Sequence, residues 1–312
     1  MFKYNFLPKG NKGGASLKRS VINAIIYIVL IVLSIIWLFP FFYLVVTSLR
    51  IDIKGVPGDL FPSASNIEKL GFSGCFGFDN YIALFTEVDN GLYKYQTNDF
   101  FTWYLNTLMI SLVTAVISTI LTLMTAYTLS RLRFKGRKGL MRFMLILGMF
   151  PGFLTMIAIY NLMKMIGLQS SLFGLILIYI SGSAMGYYIS KGFFDTISKS
   201  LDEAARIDGA SNNVIFWKII LPLSKPIVVY TVLTAFLGPW GDFMMSNYLL
   251  GNDKTKYTVS MGMQRWIDAS NQSEYFTRFC AAGVVVSIPI VILFFWLQRY
   301  YVEGVTGGAV KG

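Results

Sequence analysis

Few side chains in this 312-residue chain are placed to make or break covalent bonds. Histidine is absent, which removes Ser-His-Asp and Cys-His catalysis and most zinc sites. Cys75 and Cys280 lack metal-type spacing and read as free thiols. No apolar stretch carries paired carboxylates, so general acid–base chemistry inside one is unsupported. A Gly-x-x-x-x-Gly-Lys-Ser/Thr phosphate loop is also missing.

Two constellations remain. The first is Ser200-Leu201-Asp202-Glu203-Ala204-Ala205-Arg206-Ile207-Asp208-Gly209-Ala210-Ser211. Ser200 and Glu203 have the spacing of a capping box, and the acids suit the first turn of a helix. Gly209 can take the left-handed conformation that closes a helix. Ser211 or Asn212 can cap a second helix over 213–221, with Pro222 as its stop. Two short helices bent at a glycine result, with Ala204 and Ala205 offering a smooth face to a partner. The second constellation is Gly238-Pro239-Trp240-Gly241-Asp242. An acid within an apolar stretch marks a functional site by default, unless it lies close enough to the interface to be solvated.

The elements that position these residues are membrane spans. Hydrophobic residues make up 55% of the chain and charged ones 14%. Soluble domains sit near about 45–50% and about 25%. We read an all-α polytopic membrane protein with six spans, over 21–49, 104–132, 140–165, 172–190, 226–250 and 279–299. The first is too long for a signal peptide's apolar core and reads as its own insertion signal. Pro40, Pro151, Pro239 and Pro289 fall inside spans and read as kinks.

Net charge is +11, but the cations lie beside spans and set topology, so nucleic acid is not a partner. Lys3, Lys9, Lys12, Lys18 and Arg19 place the N-terminal tail, 1–20, in the cytoplasm. Arg131, Arg133, Lys135, Arg137, Lys138 and Arg142 do the same for the turn after the second span. An even span count puts the C-terminal tail, 300–312, inside as well. The outside segment 50–103 reverses the sign, with four basic residues against seven acidic, and reads as loop with short elements. Within the core of 104–299, the loop 196–225 is cytoplasmic and the loop 251–278 is outside.

The ordered pattern Glu203-Ala204-Ala205, Asp208-Gly209-Ala210 and Ile220-Leu221-Pro222-Leu223 resembles the coupling loop of permease subunits of binding-protein-dependent ABC importers. Within that family the chain is most similar to maltose-type, MalG-like carbohydrate permeases. The residues that carry this are Tyr257 to Gln264, Gln298-Arg299-Tyr300 and the Gly-rich tail 304–312. The resemblance implies a non-enzymatic subunit of the bacterial cytoplasmic membrane that moves a carbohydrate, malto-oligosaccharide foremost, by alternating access. It implies no cofactor on this chain, with ATP and Mg held by a partner ATPase. The implied partners are a second homologous permease, two ATPase subunits, an extracytoplasmic sugar-binding protein and membrane lipid. Glu203, Ala204, Ala205, Arg206, Asp208 and Gly209 are the implied ATPase-coupling residues. Trp240, Asp242, Phe243 and Tyr248 are candidates for the pathway, the aromatics either stacking on sugar rings or anchoring at the interface. Tyr257, Met261, Met263 and Gln264 are implied contacts for the binding protein. Another oligosaccharide is the near alternative. An ion-coupled secondary transporter is the distant one, since such proteins carry more intramembrane charge.

Overall fold

The computed structural model describes residues 14–51, 60–89, 94–95, 99–181, 184–268 and 272–309. Lys3, Lys9 and Lys12 lie outside these residues, as do Asp52, Asp59 and the last three positions of the Gly-rich tail.

The described chain is helical apart from one two-residue hairpin, β1 (Val88–Asp89) with β2 (Lys94–Tyr95). The first helix, α1 (Gly14–Leu49), runs unbroken through Pro40. Its apolar side chains from Val21 to Phe42 are exposed almost all round, as a surface facing lipid or a partner requires. The segment between the first two spans holds α2 (Ala64–Gly74) and α3 (Asp79–Ile82). Asn80 secures α3 to the end of α1, its amide donating to the carbonyls of Ser48 and Arg50.

The centre of the fold is α4 (Phe100–Arg131). Its small polar residues Thr107, Ser111, Thr114, Ser118, Thr119 and Thr122 are buried and let neighbours approach closely. After a turn at Gly136 come α5 (Arg137–Gly148) and α6 (Gly152–Met165), then α7 (Leu172–Ser181) and α8 (Ala184–Thr196). The elbow contains α9 (Ser200–Ile207), α10 (Asn212–Ile215), a π-turn at Phe216–Ile220 and α11 (Leu221–Leu223). It leads to α12 (Lys225–Gly241), α13 (Met244–Leu250), α14 (Val259–Trp266) and the long α15 (Gln272–Ala309). Helix α4 packs on α7, α8, α12 and α14, while α1 packs on α15.

Four helical stretches are long and apolar enough to cross a bilayer: Ser20–Leu49, Phe100–Arg131, Leu172–Thr196 and Tyr275–Gln298. Two bent pairs bring the total to six if each is one span. The pair α5 and α6 turns by 104° at Pro151, so that proline breaks the helix where a kink was expected. Proline lacks the N–H and holds the preceding residue out of the helical region. The second pair bends by 87° at Ser224.

The expected stretch 226–250 is likewise two helices, separated at Asp242 and Phe243. The expected loop 251–278 is mostly ordered as α14 and the first turns of α15. The expected C-terminal tail begins as a continuation of α15 to Ala309.

Candidate functional site

Helix α9 ends as the sequence indicates and begins differently. Gly209 has φ +81°, its N–H bonds the carbonyl of Arg206, and the N–H of Ala210 reaches back to Ala205. That pair of bonds is a Schellman closure, and a left-handed residue is required to make it. Ser211 caps α10, its hydroxyl accepting from the Val214 N–H at 3.4 Å. The capping box does not form. Ser200 is already helical, and Ser198 supplies the hydroxyl that accepts from the Ser200 N–H at 3.3 Å. Pro222 does not stop the second helix either. The chain widens into the π-turn just before it, and the break falls at Ser224. A wider turn relieves the clash between a proline ring and the carbonyl four residues back.

The elbow is held by a buried ion pair. Arg131, the last residue of α4, places Nε 3.2 Å from Oδ2 of Asp202, with side-chain exposures of 1% and 7%. Its Nη2 also donates to the Ile197 carbonyl at 2.9 Å. Tyr127 donates to the Asn212 carbonyl at 3.4 Å. Around them Phe194, Ala205, Ile215, Phe216 and Ile220 form a small core with Leu123 and Ala126 of α4. These contacts hold α9 against the end of α4.

This anchoring corrects the expected face. Asp202 and Ala205, three residues apart, both point inward, so Ala205 is buried while Ala204 is exposed. The outward edge is Leu201, Ala204 and Ile207, the last 86% exposed, continued by Val214 and Trp217 of the following helical segment. Glu203, Arg206 and Asp208 are exposed, and Arg206 donates to the Asn212 side chain at 3.1 Å. Sequence reasoning missed the Arg131–Asp202 pair and the apolar edge. The spacing 201, 204, 207 was the available signal for the edge.

The second constellation sits at the break after α12. Asp242 is half-buried, and its Oδ1 accepts from the Met245 N–H at 3.0 Å, which starts α13. Tyr179 of α7 donates to its other oxygen at 2.5 Å and lies 3.1 Å from the Ser246 hydroxyl. Ser260 of α14 donates to the Asp242 carbonyl at 2.8 Å. One residue thus ties four helices together. Asp242 also opens on a cavity of about 760 Å³ whose walls include Phe150, Met156, Tyr179, Tyr187 and Met245. The other pathway candidates do not converge there. Trp240 is buried against Phe236 and edge-on to Tyr104. Tyr248 is exposed and packs on Tyr160, and Phe243 is half-buried against the main core.

The residues expected to meet a binding protein divide in two. Met263 and Gln264 are partly exposed, whereas Tyr257 and Met261 are buried in the chain's own core. Asn106 of α4 donates to the carbonyls of Thr255 and Tyr257, and the Thr107 hydroxyl accepts from the Val259 N–H at 2.9 Å. Helix α14 is therefore capped by α4 and drawn against it. In the turn before it, hydrogen bonds from Thr255 and the nearby Lys256 ammonium hold the exposed Asp253 carboxyl below the usual range. Among the described residues, no three His, Cys, Asp or Glu side chains converge as metal ligands.

Residues 118–307 match the family described as the binding-protein-dependent transport system inner membrane component. The chain is 34% identical over 299 residues to the maltodextrin transport system permease protein MalD of Streptococcus pneumoniae, covering 95% of this chain and 98% of that one. It is 36% identical over 287 residues to the galactooligosaccharides transport system permease protein GanQ of Bacillus subtilis, covering 92% and 94%. A solved chain of a bacterial ABC transporter for the acidic polysaccharide alginate shares the fold, with a TM-score of 0.70 at 23% identity over 94% of this chain and all of that one.

Proposed function

The chain belongs to the binding-protein-dependent transport system inner membrane component family, and from that premise we propose that it is the permease subunit of an oligosaccharide ABC importer in the bacterial cytoplasmic membrane. The observation that carries the mechanism is the elbow. Its first helix is closed at Gly209, locked to α4 through Arg131 and Asp202, and turns Leu201, Ala204 and Ile207 outward. A rigid apolar edge on a short helix suits insertion into a cleft of a separate ATPase. Closure of two such ATPases draws the elbows together, and α4 carries that displacement into the spans.

Six spans, with both termini in the cytoplasm, fit the sign reversal between the basic turn at 131–142 and the acidic segment 50–103. The α5–α6 pair then counts as one span with irregular backbone inside the membrane, which is tolerated where it is buried in protein or lines a cavity, while the bend at Ser224 marks where the cytoplasmic elbow meets the span formed by α12 and α13. In this arrangement Ala204 lies on the ATPase-facing edge with Leu201 and Ile207, Asp208 and Gly209 close the helix beside it, Glu203 and Arg206 form its charged flank, and Ala205 supports it from within. A second permease and an extracytoplasmic binding protein complete the assembly, the latter meeting Met263 and Gln264. The cavity at Asp242 belongs to the pathway, its carboxylate and tyrosines offering partners for sugar hydroxyls.

The cargo is a malto-oligosaccharide, the substrate class named for MalD. The identity to GanQ favours a galacto-oligosaccharide as the second reading. ATP-driven uptake into proteoliposomes holding all subunits and the binding protein distinguishes them. Labelled maltotriose is expected to accumulate and to resist competition by a galactose oligomer. The opposite ranking transfers the assignment to the second reading, and uptake without ATP refutes the importer.

A further inference from the structure

A cavity of about 820 Å³ lies between the end of α4, the α4–α5 turn and the face of α9 opposite its apolar edge. Arg131, Arg133, Arg137, Lys199 and Arg206 line it, against only Asp202 and Glu203. Asp202 is already matched to Arg131. Arg137 donates to the carbonyls of Ser130 and Leu132, which cap α4 but neutralise no charge. Nη1 of Arg131 and Nε of Arg137 are buried without a hydrogen-bond partner. The cavity therefore holds an excess of cationic side chains, with the exposed Arg133, Lys199 and Arg206 open to an anion.

A second hollow shares the same turn. It is an apolar groove of about 320 Å³ whose walls include Leu121, Met124, Thr128, Phe134 and Leu140. Residues 121, 124, 125 and 128 follow one another along one face of α4 for about 10 Å and lead to Arg131 and Leu132. Arg133 lines the basic hollow and Phe134, next to it in the turn, the apolar groove, and that neighbouring pair of hollows on a spanning helix matches an amphiphile, not a soluble anion.

We propose that these two hollows form one site for an anionic phospholipid, the phosphate held by the exposed cations Arg133, Lys199 and Arg206 and an acyl chain laid along α4. The site includes the charged face of α9 and the Arg131–Asp202 lock, so an occupied site stiffens the elbow that the ATPase moves. The proposal rests on the membrane-spanning reading above but not on the identity of the cargo.

The test uses the whole importer complex, purified in mild detergent and delipidated. Phosphatidylglycerol and phosphatidylcholine are titrated separately, and retained lipid is counted by native mass spectrometry. Phosphatidylglycerol is expected to be retained in preference. Arg133→Gln with Lys199→Gln, both exposed, is expected to weaken it about 30-fold while phosphatidylcholine is unchanged, the loss expected for two basic residues at an anionic surface. Thr125→Trp in the groove is expected to lower retention without altering charge. Equal retention of the two lipids, or no effect of the paired variant, overturns the proposal. So does displacement of phosphatidylglycerol by inorganic phosphate, which marks a soluble-anion site. Binding that occurs only after the ATPase is stripped away also overturns it, because an acidic segment of that subunit then fills the cavity. Loss of ATP-driven uptake in every lipid, with phosphatidylglycerol binding intact, refutes the importer reading and supports this one.

Discussion

Asp202→Asn is expected to free the elbow from the spans without unfolding the protein. The substitution removes one charge from an ion pair 3.2 Å apart, in which the side chains are 1% and 7% exposed. Removing one partner of a buried pair costs about 3–5 kcal/mol, because the remaining charge is left uncompensated. Spread over the local equilibrium between docked and undocked α9, that is a shift of about 10²- to 4 × 10³-fold. The main core around Trp103 and Trp266 does not include the pair, so global folding should survive. In reconstituted complexes, ATP hydrolysis should persist while uptake falls by at least about tenfold. Amide exchange over 200–207 should accelerate. The double variant Arg131→Met with Asp202→Leu should recover most of the coupling, since apolar replacement of both partners is often neutral or stabilising. Normal uptake by Asp202→Asn, or a double variant no better than the single one, would show that the pair does not carry the coupling.

Other substitutions have defined outcomes. Gly262→Ala places a methyl group 1.9 Å from Cε3 of Trp103, whose indole is hemmed in by Tyr257 and Trp266. A loss of about 1–3 kcal/mol or more is expected, seen as a lowered melting temperature by tryptophan fluorescence. Gly209→Ala meets nothing within 4 Å, so only the left-handed backbone at φ +81° opposes it. It should cost about 1–2 kcal/mol and reduce coupling modestly, whereas Gly209→Pro should abolish uptake while membrane insertion, followed by fractionation, is normal. Tyr179→Phe removes the donor to Asp242 and should cost about 1.5–3 kcal/mol, the range for a hydrogen bond to a charged group. Asp242→Asn keeps an acceptor and should be milder in the same thermal assay.

What the sequence disclosed depended on range. The Gly209 closure and the Ser211 cap are decided within a few residues, and both were legible. The capping box was also a local reading, and it failed because the Ser198 hydroxyl accepts from the Ser200 N–H that the Glu203 side chain would have taken. The orientation of α9 is set by Arg131, 71 positions earlier than Asp202, so the inward turn of Ala205 had no local signal. Tyr257 and Met261 looked like surface residues because they lie between two spans. Asn106 and Thr107 of α4 pull that segment onto the core through contacts about 150 residues apart in sequence. Pro151 was visible, but a proline alone does not distinguish a kink from a 104° break. The alternation of basic and acidic flanks was readable from counting alone, and the described spans agree in number with either four or six.

The proposed docking of a cytoplasmic elbow on a separate ATPase is open to one decisive measurement. Ile207→Cys, with Cys75 and Cys280 replaced by alanine, tests it most directly, because Ile207 is 86% exposed and both native thiols are buried. Co-expressed with the ATPase and treated with a short bifunctional crosslinker, this variant should yield one permease–ATPase adduct. A membrane-impermeant maleimide should label it only in inverted vesicles. Labelling from outside intact cells would place the elbow outside, and no adduct despite full assembly of the complex would rule out docking at Ile207.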